Sequence, residues 1–173
     1  MRVERISDLP PPRTFSISLF SVPSDASSPP VPLNGPLVTG GDVSDFWVAK
    51  QRAVYRADET VNDRRELHSA PLDGSTPATP LSPGRNVFQV AQPSGDGSRV
   101  AFSTHDGIRE FLYVVPTDGS QPPLLLDDSG PPVGAFTYTF FPVIELSPDL
   151  THVFYVAAND DDSLLMSHAF SAR

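Results

Sequence analysis

Three Asp-Gly pairs crowd one stretch of the chain, "SGDGSRVAFSTHDGIREFLYVVPTDGSQPPLLL" from Ser94 to Leu126: Asp96-Gly97, Asp106-Gly107 and Asp118-Gly119. Such a pair can hold a cation in a tight loop, or it can simply turn the chain. Two acidic clusters, Asp127-Asp128 and Asn159-Asp160-Asp161-Asp162, raise the same question. Calcium wants oxygens at alternating positions of a loop, often with a glycine. The second cluster is contiguous and lacks both a glycine and a distal glutamate, so Asp160, Asp161 and Asp162 read as a solvated polar loop and at best a weak calcium candidate. His68, His105, His152 and His168 show neither H-x-H nor H-x-x-x-H spacing, which leaves no zinc pattern. Asp106 and Glu110 could be paired on paper for acid–base hydrolysis, but with 21 acidic residues in the chain no spacing singles them out.

Nucleophile and phosphate motifs are equally lacking. There is no G-x-S-x-G, no Walker loop and no G-x-G-x-x-G. Gly95-Asp96-Gly97 runs on into "SRV", a strand pattern, whereas a phosphate cradle needs a helix N-terminus. The expectation is therefore no catalytic constellation, no metal and no cofactor, with Trp47 serving as core packing.

What must position these residues is indicated by composition. The chain has 173 residues, 39% hydrophobic and 19% charged, enough for a packed core. Its 20 prolines cut it into short segments and argue against long helices. A net charge of −9 without a basic stripe argues against nucleic acid as a partner. Without cysteines there is neither disulfide nor thiolate chemistry, and the compartment stays open. No run approaches the roughly 18–20 apolar residues that span a bilayer, so no membrane insertion is expected. Residues 1–13 read as a polar tail: Glu4 and Asp8 interrupt the basic positions, and serines break the apolar stretch that follows, unlike a signal peptide.

The chain repeats itself. "LFSVPSDASSPPVPL", "ELHSAPLDGSTPATPL" and "FLYVVPTDGSQPPLLL" align on Pro23, Pro71 and Pro116, which are 48 and then 45 residues apart. Each has an Asp two residues after the proline, followed by a polar return. A second set, "RAVYRAD", "RVAFSTHD" and "HVFYVAAND", aligns on Tyr55, Phe102 and Tyr155. Four-stranded propeller blades recur at about this period. One unit reads strand, turn, strand, loop, strand, Asp-Gly turn, strand; in the third these are Val87–Gln92, Arg99–Thr104, Glu110–Pro116 and Pro122–Leu126. Continuous apolar runs such as "FLYVV" suit strands covered on both faces. Asp42 to Ala70 contains neither proline nor glycine and taken alone would permit a helix, but its alignment to the other units assigns strands.

These segments, with "SPDLTHVFY" and "SGDGSRVAF", resemble the repeat of TolB-like, WD-type β-propellers from about Thr14 to the end of the chain. That repeat places a Ser-Pro-Asp-Gly turn between its first two strands and a second Asp-Gly turn between its last two. The fold expected is all-β, a propeller-like array of four-stranded antiparallel blades. The units are 14–40 (partial), 42–83, 86–127 and 136–173 (lacking its last strand), two complete and two incomplete, forming an open or truncated array. Turn positions are Asp73, Gly74, Asp96, Gly97, Asp118, Gly119, Pro148 and Asp149. Only the third unit keeps Asp-Gly in its first turn; the fourth has Asp149-Leu150, and the second has lost the signature.

A turn recurs in every unit, whereas a ligand loop has no reason to. Binding is therefore expected in the variable loops carrying Asp58, Glu59, His105, Asp106 and Asp160. The resemblance implies a non-catalytic scaffold for a protein partner or further blades, in the cell envelope, while the sequence itself leaves the cytoplasm open; the open sheet edges add an expectation of self-association. It also leaves a second reading, the accessory or gating propeller of a serine peptidase or other hydrolase or lyase whose catalytic residues lie outside this chain.

Overall fold

The computed structural model describes residues 16–90, 92–106, 110–127, 144–157 and 166–171. The tail 1–13 and the calcium candidates Asp160, Asp161 and Asp162 lie outside them. The fold is all-β. A two-stranded sheet of β1 (Phe20–Ser21) and β2 (Val31–Pro32) comes first. Two four-stranded antiparallel sheets follow. The second sheet takes β3 (Val43–Ala49), β4 (Arg52–Ala57), β5 (Glu66–Pro71) and β6 (Thr79–Pro80); the third takes β7 (Val87–Val90), β8 (Arg99–His105), β9 (Glu110–Pro116) and β10 (Leu124–Asp127). The fourth sheet has β11 (Ile144–Leu146), β12 (His152–Ala157) and β13 (Met166–Ser171). In every sheet the strands pair in chain order, the pattern of propeller blades. The helix permitted over Asp42 to Ala70 does not form: burial along β3 alternates with the period two of a strand, and β4 is covered on both faces.

The register repeats as closely as the sequence does. Tyr55 pairs with His68, Phe102 with Tyr113 and Tyr155 with His168. Tyr55 stacks on the His68 ring at 5.4 Å between centroids, and Phe102 stacks on Tyr113 at the same distance. Each complete sheet also carries a bulge in its first strand at the same place: register slips between Val43 and Asp45, and again between Val87 and Gln89. The extra residues, Ser44 and Phe88, both turn outward, while Val43 and Val87 stay buried.

The core lies between the sheets. Ala53, Tyr55, Ala57 and Ala70 pack toward the first sheet with Leu33 and Val43. Val54, Leu67 and Ala49 face the other way and meet Val100, Phe102 and Val115 of the third sheet, with Trp47 packed against this cluster. Ala101 and Leu112 meet Ile144 and Val153 of the fourth. Successive residues of one strand thus serve two different interfaces, which is why neither face of β4 or β8 is open to solvent. Arginines bolt the second sheet to the third. Arg52 Nε donates to Ser69 Oγ at 2.8 Å and to the Thr117 carbonyl at 3.1 Å. Arg56 pairs with Asp45 and donates to the Phe88 carbonyl at 2.7 Å.

Candidate functional site

The first-strand turns are closed by their own side chains. Asp96 Oδ1 accepts from the Ser98 amide (2.9 Å) and from the Ser94 hydroxyl (2.7 Å), while the Arg99 amide donates to Ser94 Oγ (3.0 Å). In the fourth unit Asp149 accepts from the Thr151 amide (3.2 Å) and the Ser147 hydroxyl (2.6 Å), and the His152 amide donates to Ser147 Oγ (2.9 Å). Gly97 has φ +69°, and Leu150 occupies the same left-handed position at φ +60°. The second unit's turn shrinks to Lys50 and Gln51, with Lys50 at φ +55°. These bonds to the ionised form hold both carboxyls at about 2, led by the Ser98 amide for Asp96 and by the Ser147 hydroxyl for Asp149.

The last-strand turns form a second set of three. The Ser27, Ser75 and Ser120 amides donate to Asp25, Asp73 and Asp118 at 3.0, 3.0 and 2.9 Å. Hydrogen bonds from the same serines hold these carboxyls below the usual range. Ala26, Gly74 and Gly119 sit at φ +55°, +65° and +69°. Two of these turns also pack on the preceding sheet. A Cβ on Gly74 would lie 3.3 Å from a Val31 methyl, and one on Gly119 would lie 2.5 Å from the Thr79 methyl. Val31 and Thr79 occupy equivalent register positions, opposite Ser21 and Ser69. Every one of these aspartates is therefore engaged in a turn. Pro148 is exposed in the same turn as Asp149.

In the loop after β4, one of those expected to carry binding, Asp58 and Glu59 turn inward. Asp58 is buried, and its carboxylate accepts from the Asp63 amide at 3.0 Å. Glu59 folds inward, where it accepts from the Gly35 amide and the Tyr55 hydroxyl, each at 2.8 Å, and stands 3.5 Å from His68 Nδ1. Behind it, buried Glu66 accepts from the Gly84 amide (2.6 Å) and the Thr60 hydroxyl (2.7 Å) and pairs with Arg64 at 3.2 Å. Burial pushes the His68 imidazole below its ordinary range, against the pull of Glu59 and Glu66, and drives the Tyr55 phenol far up. A Glu–His–Tyr set can serve acid–base chemistry, but the His68 side chain is only 4% exposed and its Nε2 is buried without a partner. The network joins the first sheet, through Gly35, to β4, β5 and the residues after β6. Sequence spacing could not find it, because Glu59, Gly35 and Gly84 come from separated loops to meet Tyr55, Glu66 and His68 on β4 and β5; the one available signal was a histidine opposite an aromatic in the repeat.

His105 lies half-buried at the end of β8, edge-on to Phe88 at 5.6 Å, and Asp106 beyond it is exposed. Glu110 pairs with His105 across β8 and β9. Among the described residues no group of three or more His, Cys, Asp or Glu is arranged to hold a metal, and no helix is long and apolar enough to cross a membrane.

The most distinctive surface is apolar. Phe46 and Val48 on β3 are 59% and 60% exposed, and Phe154 on β12 is 47% exposed. Val54 and Ala101, at the β12 residue's positions in the other sheets, are fully buried by the sheet that follows them. No protein-family model matches the chain, and no curated protein matches it. Among solved structures, it is similar to a prolyl endopeptidase studied for the role of inter-domain dynamics in catalysis and specificity. The identity is 15% and the TM-score 0.49, over 75% of this chain and 20% of that one. The chain thus spans about a fifth of that protein.

Proposed function

We propose that this chain is a non-catalytic, TolB-like propeller segment that docks a protein partner or further blades through the apolar sheet faces at its two ends. The observation that supports this reading is the exposure of Phe46, Val48 and Phe154 at repeat positions buried or half-buried elsewhere in the same chain. Phe46 and Val48 stand two residues apart on one face of β3, and adjoining exposed apolar side chains of this kind mark interaction sites. Asp25, Asp73, Asp96, Asp118 and Asp149, by contrast, are engaged in turns, and Glu59, Glu66 and His68 in the network that ties two sheets together, while the described loops offer no nucleophile beside a base. Function on such a scaffold resides in its surfaces.

The test has two arms. A photo-activated cross-linker at Phe46, compared with one at exposed Thr76, is expected to give adducts that map to one defined segment of one protein. Adducts as diffuse as those from Thr76 would overturn the reading. Purified chain is expected to leave proline-containing chromogenic peptides and uronate polysaccharides uncleaved, and turnover by the chain itself would sink the non-catalytic assignment. Coding sequence next to this chain that carries a G-x-S-x-G domain would favour the accessory propeller of a peptidase instead.

A further inference from the structure

We propose that a second copy of this chain is one such partner, docking head to tail so that the Phe154 face of its fourth sheet covers Phe46 and Val48. The proposal rests on the scaffold reading above and names its occupant. It differs from edge-to-edge pairing in using sheet faces.

The chain already builds this interface internally. A second-strand residue of one sheet points at the sheet that follows: Val54 toward the third and Ala101 toward the fourth, both at 0% exposure. Phe154 holds the same register position in the fourth sheet, opposite the first-strand residue Glu145, and is bare. First-strand residues point back at the preceding sheet. Val90, opposite Phe102, packs on the cluster between the second and third sheets. Phe46, opposite Tyr55, holds that position in the second sheet and is bare, as is Val48 two residues on. The two naked ends are therefore the two halves of one contact type, made twice within the chain by the same repeat.

The gap at Phe46 has a definite shape. Among the described residues the first sheet has β1 and β2, whose register matches the third and fourth strands of a unit; they cover Tyr55, Ala53 and Ala70 and leave Phe46 and Val48 of β3 exposed. β11 and β12 are strands of the missing first and second type. β13 and β1 are both third strands, so docking displaces the shorter. β1 has two register pairs against β2, whereas β13 has six against β12.

Charge agrees with the same placement. Within the chain, the Gly97 turn of the third unit sits on the Ala49–Lys50 turn of the second, a Cβ on Gly97 lying 3.0 Å from Lys50 N. That stacking sets Lys50 beside Asp96, whose carboxylate it stabilises. Between copies, the second copy's turn carrying Asp149 takes the place of the Lys50 turn, and Lys50 of the first copy takes the place of Asp96. The pair is again one lysine against one aspartate, with the roles exchanged. A contact of this kind is heterologous and generates a ring or an open chain of copies.

Sedimentation velocity over about 1 to 100 μM reads the association. Wild-type chain is expected to form dimers and larger species. Phe46→Asp and Phe154→Asp, both at exposed positions, are each expected to weaken association by about a hundredfold or more while far-UV circular dichroism stays unchanged. Mixing the two variants is expected to restore a 1:1 heterodimer and nothing larger, because one sound face remains on each chain. Lys50→Glu is expected to weaken association and Asp149→Lys in the same mixture to recover it; this pair decides the matter should either aspartate variant lose its fold. A monomeric wild-type chain over the whole range, or oligomers that survive both aspartate variants, would overturn the proposal. Either result leaves the scaffold reading standing, since that reading falls only with diffuse adducts at Phe46 or with turnover by the chain.

Discussion

At the scale of the residue, the Asp-Gly pairs are turns whose glycines do two separate jobs. Left-handed φ alone costs an L-residue roughly 1–2 kcal/mol. Gly84, at φ +73° with open space around it, has only that requirement, while Gly119 also faces the Thr79 methyl. Gly119→Ala is therefore expected to destabilise the chain by about 1 kcal/mol more than Gly84→Ala in urea unfolding. Thr79→Ser removes the opposing methyl and is expected to recover that excess; equal costs at both glycines would refute the packing role. Leu150 provides the reverse case, because its turn holds a branched residue where Gly97 stands in the third unit. Leu150→Gly is expected to raise stability by up to about 1 kcal/mol, less the chain entropy a glycine adds. His68 gives a pH signature. Burial lowers its folded pKa below the ordinary 6.5, so just below pH 6.5 the unfolded chain holds a proton that the native chain lacks. Stability carried by neutral His68 is present above that value and drains as pH falls through it. His68→Phe, which places an aromatic where the third sheet has Tyr113, is expected to flatten the dependence of the urea midpoint between about pH 7 and 5. An unchanged slope would show that the imidazole is not held neutral. Little of this network was legible in the sequence: Glu66 and His68 stand two apart on β5, but Glu59, Gly35 and Gly84 reach them along loop paths, which leave no periodicity to read.

At the scale of the element, the sequence is far more legible, because each strand repeats a partner seen elsewhere in the chain. The alignment on Tyr55, Phe102 and Tyr155 corresponds to a shared register position, and that on Pro23, Pro71 and Pro116 to a shared turn. β7 ends at Val90, short of the expected Gln92, and β10 runs from Leu124 to Asp127, not from Pro122, since proline lacks the amide a ladder needs. The first-strand bulge left no mark on the sequence because an inserted residue does not alter the apolar pattern at either end; Val43 and Val87 are inward on one side of the slip, and pairing resumes at Asp45 and Gln89 on the other. A bulge found twice at one place points to a job, which is to turn Ser44 and Phe88 out of the interface and let β3 and β7 bend. Deleting Ser44 leaves Val43 opposite Ala57 and in phase with Phe46 in a regular ladder, so only the bend is lost, and the expected cost is roughly 1 kcal/mol in urea unfolding. Deleting Gly95, which has open space around it in an exposed turn, is the control for shortening alone, and a smaller loss at Ser44 than at Gly95 would argue against the bulge's role.

At the scale of the whole molecule, stability resides between sheets rather than within them, and this sets how the chain should come apart. Among the described residues each sheet packs on its neighbours in the row, so the array behaves as a series of units coupled pairwise. The strongest coupling joins the second and third sheets. It combines the cluster of Val54, Leu67, Phe102 and Val115 with Arg52 and Arg56, whose donors cross to the Thr117 and Phe88 carbonyls. The first sheet has two short strands and is held by the smaller cluster around Leu33 and Tyr55, by the Glu59 bond to Gly35 and by the Val43 amide bond to the Ile17 carbonyl. Amide exchange is therefore expected to be slowest in β4, β5, β8 and β9 and fastest in β1 and β2. Phe102→Ala, at a fully buried site, is expected to cost about 3–5 kcal/mol. Because Phe102 belongs to an interface and not to one sheet, the loss should appear in the second and third sheets together, with the amides of β4 and β5 speeding up as much as those of β8 and β9. If only the third sheet's amides accelerate, the sheets are independent folding units and the pairwise coupling inferred from the shared core is wrong. Joint acceleration would mean that a sheet left without a neighbour is a weakened sheet, which is the physical reason the bare faces at Phe46 and Phe154 are expected to seek one.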